Sequence, residues 1–241
     1  MKQRQKIRKG IIVTAFFLFP AVCNYFSPMH AIEASETGIV NGSLIIFLAM
    51  FVGSLFLGRG YCGWACPGGG CQESIFPARS KEVTRGNFMK WLIWVPWIGM
   101  VIVSAIKAGG YNKIDFFFQT THGLSIGDFK NLLTYYVILI PLIVLPAFVL
   151  GKRSFCHHIC WMAPFMILGR KIRNRLHWAA LQLKSDPGRC RHCGICSTNC
   201  PMSLPVEKMV EQETMENSEC ILCGACVDAC RHAAITYEWG K

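Results

Sequence analysis

The chain has 241 residues, 52% hydrophobic and only 16% charged, a balance too apolar for an ordinary soluble domain of this size. Its formal net charge is +11, but most of the 25 Lys and Arg flank apolar stretches, which argues against a nucleic-acid partner and for positive residues held at a membrane margin. The fourteen cysteines occur mostly as tight CxxC and CxxxC groups, which suit shared metal centres in a reducing compartment better than disulfides.

In chain order, four apolar stretches have spanning length: Ile11–Phe26, Gly38–Leu57, Phe88–Ile106 and Leu132–Leu150. The first follows the basic leader MKQRQKIRKG and precedes the small-residue run AIEA, so it also has features of a signal peptide; we read it as retained. Basic residues cluster before the first span, between the second and third (Arg59, Arg79, Lys81 and Arg85, with Lys90 at the margin) and after the fourth (Lys152 and Arg153). The positive-inside rule then places both termini, and every multi-cysteine motif, on the cytoplasmic side of an inner-membrane protein. Trp64 and Trp161 fall just beyond the second and fourth spans, where interfacial anchoring and ordinary packing are both open readings. Phe116, Phe117 and Phe118, in the loop Lys107–Lys130, would lie at the outer interface or meet a partner.

Two segments at the cytoplasmic edge carry paired cysteines: GRGYCGWACPGGGCQE after the second span and GKRSFCHHICWMAPFM after the fourth. On a helix, CxxxC puts both thiols on one side. Cys62, Cys66, Cys156 and Cys160 could together supply four thiolates, with Cys71, His157 and His158 in reserve. A third metal centre, a pair of redox dithiols, and inert helix-end packing are the three readings. Pro67 and Gly68, Gly69 and Gly70 are expected to force this segment out of helix and expose N–H groups to an anionic centre. Cys23, alone in the first span, is read as a packing residue.

The last sixty residues are more polar and hold CRHCGICSTNCP from Cys190 and CILCGACVDAC from Cys220, the spacing CxxCxxCxxxC twice. Three cysteines at this spacing wrap one cubane while the fourth reaches the other. This assigns Cys190, Cys193, Cys196 and Cys230 to a first [4Fe–4S] cluster, and Cys220, Cys223, Cys226 and Cys200 to a second. Structural zinc is the competing reading, but it gives no reason for the third CxxC step or for Pro201. Arg189, Arg191 and Arg231 adjoin the first set, Glu219 and Asp228 the second, so the first cluster is expected to have the higher potential.

The expected architecture is therefore a membrane α-helical domain, residues 1–178 with four transmembrane helices, followed by an α+β ferredoxin domain over 179–241 that binds two [4Fe–4S] clusters. All seven histidines lie outside the spans, so a haem held between transmembrane histidines is not available. Electrons must then enter or leave the bilayer through a quinol at the edge cysteines or through a partner subunit.

CGWACP after one span, CHHICWMAPFM after another and a double-cubane tail together resemble the membrane polyferredoxins of the NapH and NosR type, over nearly the whole chain. The second edge motif departs from the family's CxxxCP pattern, with Trp161 after Cys160. The resemblance implies electron transfer between a quinone pool or soluble cytoplasmic donor and a partner oxidoreductase, with no independent catalysis. Two rivals are a maturation factor whose edge thiols reduce a client or hand it metal, and a redox sensor.

Overall fold

The computed structural model describes residues 2–75, 81–83, 86–125, 133 and 135–240. Positions 76–80, 84–85, 126–132 and 134, which belong to the expected cytoplasmic loop, external loop and fourth span, lie outside the described residues. The first apolar run forms α1 (Gln3–Val22), a short 3₁₀ turn at Cys23–Phe26, and α2 (Pro28–Glu36), which Ser27 caps by accepting from the His30 N–H. A parallel pair, β1 (Ile39–Asn41) with Lys113–Asp115 further along the chain, ties the loops at the helix ends remote from the cysteine motifs. Asn41 then caps α3 (Gly42–Leu57), its side chain accepting from the Leu44 N–H at 3.1 Å. Short helices α4 (Gly60–Trp64) and α5 (Pro67–Ile75) carry the first edge motif, and α6 (Met89–Lys107) follows.

A π-helical turn, Tyr135–Leu139, leads into α7 (Ile140–Val149). After it come α8 (Ser154–His158), with the second edge motif, and α9 (Ala163–Leu176), which packs along α3. Of the four expected spans, the helical stretch Gln3–Glu36 and helix Met89–Lys107 are long and apolar enough to cross a membrane. The helices Gly42–Leu57 and Tyr135–Val149 are shorter: a 16-residue helix reaches about 24 Å, less than the roughly 30 Å of a hydrocarbon core. All four turn large apolar side chains outward, including Phe17 (73% exposed), Leu48 (61%), Ile106 (71%) and Val149 (66%), a surface that suits lipid.

The chain does leave helix just before Pro67, since α4 ends at Trp64, but the glycines do not keep it out. α5 begins at Pro67, where a first-turn proline forfeits no helical hydrogen bond, and its glycines serve close packing. A Cβ on Gly70 would lie 2.0 Å from the Ile12 carbonyl oxygen of α1, and one on Gly69 about 2.8 Å from the Arg153 guanidinium. Gly70→Ala must therefore push two helix backbones apart, and we expect it to cost about 3 kcal/mol or more. Gly10→Ala, whose Cβ meets nothing within 4 Å, is the control. Equal thermal unfolding of the two variants in detergent would contradict this packing.

The tail folds as an antiparallel ribbon, Ala180–Ser185 with Ile235–Gly240, in register from Ala180↔Gly240 to Ser185↔Ile235. Short helices Ile195–Thr198, Val206–Glu211 and Ala225–Ala229 lie between the two strands. Gly194 (φ +68°) and Gly224 (φ +71°) start two of them in the left-handed region, which lets each cysteine loop turn sharply into helix. This agrees with the α+β expectation for the tail.

Candidate metal centres

The tail gathers its eight cysteines into two groups. A cavity of about 200 Å³ is lined by Cys190, Cys193, Cys196 and Cys230. Cys200, Cys220, Cys223 and Cys226 surround a second, smaller one. These are the two sets that the spacing pairs, including the exchanged fourth ligands. Among the described residues, the one trio of candidate ligand atoms within 4.8 Å of one another is His192, Glu207 and Glu211, not any set of cysteines. One tetrahedral zinc needs its sulfurs about 3.8 Å apart, at Zn–S of about 2.3 Å. The wider spacing fits the larger cubane.

At the edge, α4 supplies Cys62, the α4–α5 junction Cys66, α8 Cys156 and the second residue beyond α8 Cys160; all four are buried. Burial pushes the Cys66 thiol well up, and the charges of Cys62, Cys156 and Cys160 push the same way. Burial also raises Cys62, and raises Cys160 to about 12. The four thiols thus share one electrostatic site. Cys71 stands apart, since burial alone raises it to about 11. Of the reserve histidines, His157 binds Asn87 Oδ1 through Nδ1 at 2.5 Å, and burial holds it neutral, down to about 3; His158 Nδ1 bonds the Ser154 carbonyl at 2.8 Å. Thiols this deeply enclosed cannot meet a client protein, which weakens the dithiol reading, whereas a metal binds such thiols by displacing their protons.

The edge site and the tail are in direct contact. A Cβ on Gly63, between Cys62 and Cys66, would lie 2.3 Å from the Ile221 carbonyl oxygen and 3.3 Å from the Cys223 backbone. The Trp64 indole N–H donates to Leu222 O at 3.1 Å, and that of Trp161 to Phe26 O at 2.9 Å. Both tryptophans therefore bond protein carbonyls, which favours packing over interfacial anchoring. Gln5 Nε2 donates to Cys223 O at 3.0 Å, so the start of α1 also touches the second cysteine loop.

Two buried ionic networks surround this contact, and spacing alone does not reveal either. Glu73 accepts from Arg8 (Oε2 to Nη2, 2.6 Å) and from Arg153 (Oε1 to Nη2, 2.5 Å). Arg8 Nη1 further donates to Gly63 O at 3.0 Å and Arg153 Nη1 to Cys62 O at 2.7 Å. Glu219 accepts from Arg59 Nη1 at 2.8 Å and from Lys90 Nζ at 2.6 and 2.7 Å. The one sequence clue is the position of Arg59, Glu73, Arg153 and Glu219 close to cysteines. Glu219 thus has two cationic partners, and Asp228 is bound by Arg4 at 2.9 and 3.0 Å. The acidic charge expected to lower the second cluster's potential is neutralised, so the expected order rests on Arg189, Arg191 and Arg231 beside the first set.

The 4Fe-4S binding domain family matches residues 42–85 and 132–178, the two halves that carry the edge cysteines, and the 4Fe-4S dicluster domain family matches residues 182–231. MJ0750, an uncharacterised protein of Methanocaldococcus jannaschii, is 28% identical over 249 residues, covering 98% of this chain and 94% of its own length. YccM of Escherichia coli, whose name gives it a provisional electron-transport role, is 21% identical over 248 residues, covering 95% of this chain and 67% of its own. The methylamine utilization ferredoxin-type protein MauN of Methylobacillus flagellatus is 28% identical over 154 residues, 61% of this chain and 50% of its own. No solved structure matches the chain. With two apolar helices of spanning length, paired edge cysteines and a dicluster tail, the chain belongs to the ferredoxin-type membrane 4Fe-4S proteins, the NapH/NosR-like polyferredoxins.

Proposed function

We propose that the chain is an electron-transfer subunit that links a quinone in the bilayer, or a cytoplasmic donor, to a partner oxidoreductase. Cys190, Cys193, Cys196 and Cys230 hold one [4Fe–4S] cluster, and Cys200, Cys220, Cys223 and Cys226 the other. Cys62, Cys66, Cys156 and Cys160 hold a third centre. All four apolar stretches cross the inner membrane, the two shorter helices at a locally thinned margin, with both termini and all three centres on the cytoplasmic side. The observation that carries the reading is the backbone contact of Gly63 with Ile221 and Cys223, which leaves no layer of solvent or insulating side chains between edge thiols and tail. The clusters supply the redox chemistry when bound; the protein supplies spacing, insulation and charge.

An apolar cleft of about 320 Å³ supports the quinone side. It is lined by Phe26, Met50, Gly53, Ser54, Tyr61 and Met166, among others. Met166 Sδ is 3.8 Å from Cys62 Sγ, so the cleft wall adjoins the edge site. The hydroxyl of Tyr61 lies toward the same thiols: burial raises its pKa, and so do the charges of Cys66, Cys62 and Cys160. Gly53→Leu adds a side chain where a Cβ meets nothing within 4 Å, and so fills the cleft without a clash at its root. With dithionite-reduced protein in nanodiscs, a short-tailed quinone should reoxidise the clusters, and Gly53→Leu should slow this about tenfold or more while leaving oxidation by ferricyanide unchanged, a barrier increase of at least about 1.4 kcal/mol. Equal quinone rates in both proteins would remove the quinone from this cleft.

A further inference from the structure

Arg59 is almost fully enclosed, 2% exposed, and its guanidinium is only half used. Nη1 donates to Glu219 Oε2 at 2.8 Å and to the Ser218 carbonyl at 3.1 Å. Nε and Nη2 have no acceptor among the described residues. Other cations nearby differ in this respect. Arg8 and Arg153 spend their donors on Glu73, Gln5 and backbone carbonyls, and Lys90 on Glu219. A buried guanidinium with two open donors is costly unless an acceptor completes it.

Arg59 immediately precedes α4, its carbonyl accepts the Cys62 N–H at 3.0 Å, and its side chain is close enough to act on the Cys62 thiol. Besides Glu219, the groups near enough to act on the guanidinium include Cys62 and Cys156. Cys62 belongs to the first edge motif and Cys156 to the second, so Arg59 sits where the two halves of the site meet. Neutral thiols are poor acceptors for two N–H groups. The thiolate and sulfide sulfurs of a [4Fe–4S] centre are anionic acceptors, and such hydrogen bonds raise a cluster's potential by stabilising its reduced, more negative state.

We propose that Arg59 is a positioning and potential-setting residue for the edge centre, donating from Nε and Nη2 to its sulfurs while Nη1 binds Glu219 beside Cys220. This rests on the reading that the four edge cysteines hold a cluster. Arg59 thereby spans the edge centre and the second tail cluster: one face of the guanidinium serves each. Glu219 opposes Arg59, since its negative charge partly cancels the cation that the edge centre faces.

The test is an EPR-monitored redox titration of the full-length protein in nanodiscs, with iron and acid-labile sulfide counted on the same samples. The wild type should carry about twelve irons, and Arg59→Gln should retain them while the edge centre's midpoint moves negative, further than that of either tail cluster. Arg59→Lys keeps the charge but not the paired donors, and should move it less. Glu219→Gln should move it positive. An unchanged edge midpoint in Arg59→Gln at full iron content would overturn the role of Arg59 and leave the edge cluster standing. A wild-type count of about eight irons would instead overturn the edge cluster itself, and this proposal with it. If Arg59→Gln does not fold, Arg59→Lys and Glu219→Gln decide: no shift in either, or shifts of the same sign, would overturn it.

Discussion

Replacing Cys62, Cys66, Cys156 and Cys160 together by serine is expected to lower iron from about twelve to about eight per chain and to abolish exchange of electrons between the tail and a membrane quinone. The four sulfurs are buried on, or just beyond, two short helices and feel one another's charge. Serine is nearly isosteric with cysteine, so the helices can still pack, but a hydroxyl does not replace a thiolate on iron. The tail cysteines lie in separate cavities and should keep their clusters, with their EPR signals intact. Dithionite should therefore still reduce the variant while quinone no longer reoxidises it. Equal iron in wild type and variant would return the edge cysteines to packing or dithiol roles and break the proposed route to the bilayer.

The second large effect is expected at Glu73. Its carboxylate holds Arg8 of α1 and Arg153 beside α8, so three segments of the edge site converge on one buried anion, 4% exposed. Glu73→Gln leaves two enclosed guanidinium groups without a counter-charge, and breaking such a group costs about 3–5 kcal/mol. Replacing Arg8, Glu73 and Arg153 together by apolar residues of similar volume should recover much of that loss, because the desolvation of all three charges disappears with them. Thermal unfolding in detergent checks both, and a Glu73→Gln protein as stable as wild type would mean that the network contributes little.

The same network predicts acid lability. Burial works to raise the Glu73 pKa, but Arg153 and Arg8 outweigh it and hold the carboxyl below its ordinary 4.5. A group whose folded pKa is depressed contributes stability that is fully present above the unfolded value and is lost as pH falls through the folded one. Melting temperature should therefore fall below about pH 4.5, and Glu73→Gln should flatten that part of the profile.

The tail was legible in the linear chain because its chemistry is local. CxxCxxCxxxC sets three thiols around one loop, and the positions of the eight cysteines around two cavities follow from that spacing and the helix starts at Gly194 and Gly224. The apolar stretches were legible for a similar reason, since hydrophobic content along a helix is a property of consecutive residues. The second apolar stretch proved shorter as a helix than the hydropathy suggested, because Ile39–Asn41 pair with Lys113–Asp115 and Asn41 caps a helix that starts only at Gly42. The GGG run misled because glycine permits both a broken helix and an unusually close one. Only the approach of Ile12 to Gly70 decides between them. The pairing of Glu73 with Arg8 and Arg153, and of Glu219 with Arg59 and Lys90, joins residues 65 to 160 positions apart, which no periodicity encodes. Sequence by itself determined which residues can bind iron and which stretches suit lipid. The tertiary structure decided that the edge thiols share one buried site against the second cluster loop, because burial removes water from those charges and makes distant partners obligatory.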